Sequence, residues 1–186
     1  MRASLNQLKI AVEYALSFIA VFWIIMIVEY VAGLNLNFLG VFPRTTDGLF
    51  PGIITAPLIH ANFPHLIANT LPFGVLCSFF FFFYRKKPFL IFTLVWITAG
   101  LLTWLIGRGA WHIGASIMIY ALASFLAFGG IMSRKFTLIL ASIIVILIYS
   151  GLIWGIFPTD ERVSWEGHLS GAISGALWAY LFRKKL

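Results

Sequence analysis

Long apolar runs alternate with short polar clusters along this chain. A helix needs about 20 mostly apolar residues to cross a bilayer, and six runs reach or approach that length: about 11–32, 64–84, 88–106, 114–132, 136–157 and 167–182. The second ends at Arg85-Lys86-Lys87, the fourth at Arg134-Lys135 and the sixth at Arg183-Lys184-Lys185. The sixth is short, which predicts that it starts below the outer surface. Pro72 falls inside the second run and is expected to bend that helix. The five phenylalanines Phe79 to Phe83 read as a lipid-facing surface. The connection 34–63 contains Pro43, Gly48, Pro51, Gly52 and Pro57, which rule out one regular helix. Leu36, Phe38, Leu39, Phe42, Leu49, Phe50, Ile53 and Ile54 make it too apolar for a solvated linker, so it is predicted to lie folded in the membrane interface. No internal repeat and no matched pair of interrupted helices suggests a transporter built of two halves.

Composition agrees with this pattern. Hydrophobic residues make up 61% and charged residues 10%, where soluble domains carry about 25% charged residues; mean hydropathy is +0.99. The expected fold is all-α: a polytopic membrane protein forming one six-helix domain over residues 1–186. The first run does not end in a small-residue cleavage site, so it is expected to be a retained helix and not a removed signal. The net charge of +7 does not argue for nucleic acid, because the basic residues sit in clusters between spans. With the N-terminus in the cytoplasm, Arg2, Lys9, Arg85, Lys86, Lys87, Arg134, Lys135, Arg183, Lys184 and Lys185 lie inside, and Arg44, Arg108 and Arg162 outside. That bias predicts that both termini are cytoplasmic, and the short loops and tails suggest a bacterial inner membrane. The single cysteine, Cys77, reads as a packing residue that can form no internal disulfide.

On that topology six polar residues share one depth, in the outer half: His60, His65 and Asn69 around the second run, Ser116 and Tyr120 on the fourth, and His168 on the sixth. Polar groups at that depth need partners or a purpose. His65 and Asn69 are spaced i, i+4 and share a helix face, as do Ser116 and Tyr120. His168, Gly171 and Gly175 form a stripe, and the two glycines let a neighbouring helix approach closely. If that neighbour is the fourth helix, His168 meets Ser116. Imidazole can take the hydroxyl proton as serine attacks a carbonyl, His65 and Asn69 can donate to the developing oxyanion, and Tyr120 can pack on the imidazole. Taken singly, a membrane serine is usually a packing residue and a histidine near a helix end an interfacial one. His60 and His65 could ligate a metal, but no HExxH motif accompanies them, and neither a metal nor a cofactor is expected. Asp47 and Asp160 fall in outer loops, so no intramembrane aspartate pair suggests an aspartic protease.

At these residues the sequence resembles the rhomboid family of intramembrane serine proteases. His60, His65 and Asn69 match its first signature, Gly114, Ser116 and Tyr120 its GxSxxxY signature, and His168, Gly171 and Gly175 its HxxGxxxG signature. The resemblance implies Ser116 as nucleophile and His168 as general base, without a third carboxylate. It implies an oxyanion hole of His65, Asn69 and the Ser116 N–H, with His60 in support. The connection 34–63 looks like the family's membrane-embedded first loop, and the fifth run with 158–166 would form the gate and cap. The implied partners are the bilayer and transmembrane protein substrates, cut near the outer face; oligomeric state is left open. Many family members have glycine after the catalytic serine, where this chain has Ile117, which would either narrow the substrate pocket or crowd the seam between the fourth and sixth helices. The Trp-Arg pair of some bacterial members is absent from the first loop. Two other readings compete with the protease: an inactive member of the same fold that binds membrane clients, and a small transporter with a histidine-lined cavity.

Overall fold

The computed structural model describes residues 2–160 and 163–183. Arg162, Lys184 and Lys185, which entered the orientation argument, lie outside these residues. The described chain is helical: α1 (Arg2–Ala32), the short α2 (Thr46–Leu49) and α3 (Gly52–Thr55), α4 (Phe63–Phe83), α5 (Pro88–Ile106), α6 (Ser116–Met132), α7 (Phe136–Tyr149) and α8 (Trp165–Phe182). Four helical stretches are long and apolar enough to cross a membrane: Ser4–Ala32, Phe63–Phe83, Pro88–Ile106 and Phe136–Ile156. This is an integral membrane protein built as a helical bundle. α6 is apolar but has only 17 residues, which span about 26 Å, less than the roughly 30 Å hydrocarbon core. α8 has 18 residues but buries Glu166, His168, Ser170 and Ser174.

Four boundaries differ from the sequence reading, each for a local reason. α1 starts a full two turns earlier, at Arg2, and Lys9 and Glu13 pair at 3.8 Å one turn apart on it. α6 starts at Ser116 and not at Gly114, whose φ of +111° no α-helix admits. The fifth run is α-helical only to Tyr149 and continues as a 3₁₀ segment over Ser150–Ile156, starting where Ser150-Gly151 weakens the helix. α8 begins at Trp165, ahead of the expected 167, because Ser164 caps it by accepting from the Gly167 N–H at 3.3 Å.

The phenylalanine run is not a lipid-facing surface. Phe80 and Phe81 are buried, and Phe79, Phe82 and Phe83 pack partly buried against the core. Phe80 packs at an angle against Phe92 and Phe125, and Phe81 against Tyr14 and Phe92, so this end of α4 meets α1, α5 and α6 through tilted and edge-on aromatic contacts. A run of five on a 3.6-residue helix covers every direction, and neighbours crowd this end of α4 on all of them.

The connection 33–62 is folded onto α5. Trp104 donates its indole N–H to the Thr45 carbonyl at 2.8 Å, and Trp96 to that of Ile53 at 3.1 Å. Arg44 donates to the Leu105 and Gly107 carbonyls at 3.2 and 2.9 Å, placing a cation on the open C-terminus of α5. Val41 and His112 exchange backbone hydrogen bonds at 3.0 and 2.8 Å, which ties this connection to the loop between α5 and α6.

α6 is the centre of the bundle, flanked by α4, α5, α7 and α8. Its tightest neighbour is α8. A Cβ at Gly171 would run into the Ile117 carbonyl oxygen, and one at Gly175 into that of Ala121. The glycines therefore let two backbones touch, as the spacing predicted. Ser124 reinforces the seam by donating to the Ala172 carbonyl at 2.7 Å, and Ser174 ties α8 to α5 through Val95 at 2.8 Å. Gly171→Ala is accordingly expected to destabilise the protein by about 1–3 kcal/mol through overpacking. Gly151→Ala, where a Cβ meets open space, serves as control. Thermal unfolding in detergent checks this, and equal midpoints for the two variants would refute it.

Candidate active site

The predicted site residues come from three elements that the bundle brings together at one end. Ser116, at the first position of α6, is half-buried; its backbone N–H is among the first-turn donors that no carbonyl of its own helix can reach. His168 lies in the first turn of α8 and is 9% exposed. His65 and Asn69 lie on the first turns of α4, which Asn62 caps by accepting from the His65 N–H at 2.9 Å. Ser116, His168, His65 and Asn69 all line one cavity of about 560 Å³, together with residues of the 107–113 loop, Val163 and Ser164.

The imidazole of His168 is held on two sides. Its Nδ1 is 2.9 Å from the Gly155 carbonyl oxygen. An oxygen acceptor there requires the proton on Nδ1, which leaves Nε2 with a free lone pair. The ring stacks on Tyr120 with centroids 4.1 Å apart and planes 9° apart. Sequence reasoning anticipated Tyr120 but missed Gly155, whose contribution is a backbone oxygen and an absent side chain. A Cβ at Gly155 would strike the Tyr120 hydroxyl and come within 3.2 Å of His168 Nδ1.

Gly114 performs a similar service on the other side. Its left-handed φ of +111° suits glycine, and a Cβ there would fall 2.6 Å from His65 Cε1, 2.7 Å from His65 Nε2 and 3.7 Å from Asn69 Nδ2. The two α4 side chains thus lie against the turn that delivers Ser116. The Asn69 amide nitrogen is buried and has no hydrogen-bond partner. A donor in that condition is costly unless something fills the position opposite it. His60 is 2% exposed and stands behind the site: its Nε2 accepts from the Ala115 N–H at 3.3 Å, and its ring packs edge-on to His65 at 5.1 Å. Burial and the neighbouring His65 lower its pKa to about 4, so it is neutral and can accept that bond.

The expected contact between Ser116 and His168 is not closed. Among the described residues, no hydrogen bond joins them, although both face the cavity. Catalytic hydrogen bonds are often long without substrate and tighten when it binds. Ile117 does not crowd the glycine seam: the atoms nearest Gly171 and Gly175 are backbone, including the Ile117 carbonyl. Ile117 borders, with Ser116, a gap of about 10 Å³ formed by Val41, Ala56, Thr103, His112 and Gly167 among others. Among the described residues, no group of three or more acidic, histidine or cysteine side chains is arranged to hold a metal.

A sequence profile of the Rhomboid domain matches residues 48–185, a span that contains His60, His65, Asn69, Gly114, Ser116, Tyr120, Gly155 and His168. The chain belongs to the rhomboid family. Two uncharacterised proteins, from Mycobacterium tuberculosis (strain ATCC 25618 / H37Rv) and Mycobacterium bovis, are each 39% identical to this rhomboid over 176 residues, covering 89% of it and 72% of themselves. A third, from Mycobacterium leprae, is 36% identical over 176 residues, covering 89% of this chain and 69% of its own. Rhomboids are generally intramembrane serine proteases, and some members are inactive.

Because Gly155 and Tyr120 together hold His168, Gly155→Ala is expected to slow the reaction of Ser116 with a fluorophosphonate by about 10²-fold, the usual consequence of a displacement of about 1 Å. Gly151→Ala in the same 3₁₀ segment is expected to have no effect. Equal labelling rates in both variants would show that the carbonyl and the stack do not set the imidazole.

Proposed function

We propose that this rhomboid is an intramembrane serine endopeptidase that cleaves transmembrane segments of other proteins near the outer face of the membrane. The observation that carries the reading is the shared cavity: a serine hydroxyl, an imidazole whose Nε2 lone pair is free, and a buried amide donor without a partner open onto the same space. In this reading His168 Nε2 takes the proton as Ser116 Oγ attacks the peptide carbonyl, then delivers it to the leaving amine. The negative charge on the tetrahedral oxygen is met by the Ser116 N–H at the positive end of α6, by Asn69 Nδ2 and by His65. Tyr120 and Gly155 hold the imidazole, and His60 supports the turn before Ser116. Water completes hydrolysis of the acyl-enzyme, and neither metal nor cofactor takes part.

The wider arrangement belongs to the same proposal. α6 and α8 join the four long apolar stretches as spanning helices, giving six spans in a single domain over residues 1–186. Both termini face the cytoplasm, in keeping with the distribution of basic residues, and the membrane is a bacterial inner membrane. The short α6 then leaves Ser116 below the outer surface, in a cavity that can hold water. Segments of substrate that unwind there expose a peptide bond that a helix would shield.

Two measurements test the chemistry. A fluorophosphonate is expected to label the wild type at Ser116, while Ser116→Ala and His168→Ala each abolish cleavage of a model transmembrane substrate and remain folded. The double variant is expected to be no worse than either single, because the pair acts as one unit. Cleavage by Ser116→Ala near the wild-type rate would rule out this nucleophile. Asn69→Ala is expected to lower kcat by about 10²–10³-fold, the usual loss on removing one oxyanion donor, with a smaller effect on KM. A change confined to KM would make Asn69 a binding residue instead.

A further inference from the structure

The loop between α5 and α6 carries a polar cluster that the proposed chemistry does not use. Arg108 Nη1 reaches Glu166 Oε2 at 2.7 Å, and the Arg108 backbone N–H donates to Glu166 Oε1 at 3.2 Å. Arg108 Nη2 donates to the Val163 carbonyl at 3.0 Å. His112 Nδ1 is 2.6 Å from Ser164 Oγ, and its Nε2 is 3.1 Å from the Arg108 carbonyl oxygen. Glu166 and His112 are only 2% and 4% exposed.

The proton assignment of this cluster closes. The Arg108 carbonyl oxygen can only accept, which puts the His112 proton on Nε2. Nδ1 then accepts from the Ser164 hydroxyl, whose oxygen also accepts from the Gly167 N–H as the N-cap of α8. The imidazole is then neutral, in agreement with the lowering of its pKa by burial. Both Glu166 oxygens accept, and the contacts of Arg108 with Glu166 and Val163 and of His112 with Ser164 run between the 107–113 loop and the segment 163–166 that opens α8.

These two segments lead to the two reacting groups. The loop ends three residues before Ser116, and Glu166 precedes His168 by two residues. Arg108, His112, Val163 and Ser164 also form part of the cavity wall. Val41 pins the loop by its backbone pair with His112, so the clasp is anchored to the bundle and not merely to itself. We propose that Arg108, Glu166, His112 and Ser164 form a clasp that sets the distance between Ser116 and His168, with Arg108 and Glu166 as positioning residues. The inference rests on the dyad reading. A buried carboxylate held by a guanidinium and a backbone N–H is stiff, and removing one partner leaves the other charged and uncompensated. The α6–α8 glycine seam fixes the lateral approach of the two helices, whereas the clasp fixes their ends.

The test compares Glu166→Gln, Arg108→Lys, Arg108→Glu and the exchange Arg108→Glu/Glu166→Arg with the wild type. Glu166→Gln is expected to lower kcat and the fluorophosphonate labelling rate together by about 10²-fold, the scale of a displacement of about 1 Å, with KM little changed. Arg108→Lys keeps the charge but loses the two-armed fork, and is expected to fall between wild type and Glu166→Gln. The exchange is expected to recover at least part of the loss seen in Arg108→Glu. Variants whose folded fraction, titrated with the probe, keeps wild-type kcat would overturn the proposal, as would a loss confined to KM or an exchange no better than Arg108→Glu. If Glu166→Gln does not fold, the Arg108→Lys comparison decides. Amide hydrogen exchange separates failure of the clasp from failure of the dyad: Glu166→Gln is expected to speed exchange in 107–113 and 163–168 together, even if Ser116 proves unreactive in the wild type. Faster exchange in only one of the two segments would refute the clasp by itself.

Discussion

Close backbone contact between α6 and α8 is the constraint on which the rest of the site depends. At Gly171 and Gly175 the helices touch through carbonyl oxygens, with no side chain between them. Nothing bulkier than glycine permits that approach. It brings the first turns of the two helices to the same cavity, one with Ser116 and the other with His168. In lipid there is little hydrophobic drive to bring helices together, so close packing and hydrogen bonds must supply it. The bonds of Ser124 to α8 and of Ser174 to α5 do so from within the seam.

The polar groups of this membrane protein fall into two sets. Ser142, Ser174, Thr103 and Trp178 each find a partner at 2.8–3.0 Å on their own or a neighbouring helix, which is what a low-dielectric interior demands. Asn69 Nδ2 does not. The same economy that explains the first set makes the second informative, because a donor left unpaired beside a serine and a free imidazole nitrogen is placed for a group that arrives from outside. The backbone takes part as fully as the side chains. Gly155 supplies the carbonyl that holds His168, and the first turn of α6 supplies the N–H beside Ser116.

Ile117 shows how a family departure can be absorbed. The helix turns its carbonyl toward Gly171, and the residue borders the small gap shared with Val41, Ala56 and His112. The glycine seam is therefore intact despite a β-branched residue directly after Ser116. The added volume sits beside Ser116, on the side of the connection 33–62.

Much of this protein was legible in its residues because spacing along a helix is a local property. Run lengths located the long helices, and α5 agrees with the sequence reading at both ends. The i, i+3 and i, i+4 spacings identified the faces carrying His65 with Asn69, Ser116 with Tyr120, and His168 with Gly171 and Gly175. The stack of Tyr120 on His168 followed from those faces. What escaped the sequence was whatever depends on a neighbour. The Phe79–Phe83 run looked like a lipid surface, since nothing in its own order tells that α1, α5 and α6 crowd that end of α4. Gly155 carried no signal, because a carbonyl oxygen has no residue type. Arg108 and Glu166 are 58 positions apart and read as ordinary outer-loop charges until the fold places them 2.7 Å from each other. The sequence by itself determined which residues are polar at one end of an apolar bundle and which helix face each occupies. Only tertiary packing decided which of them meet, which find hydrogen-bond partners and which are left open toward the cavity, because distances between helices are set by every side chain in the seam at once.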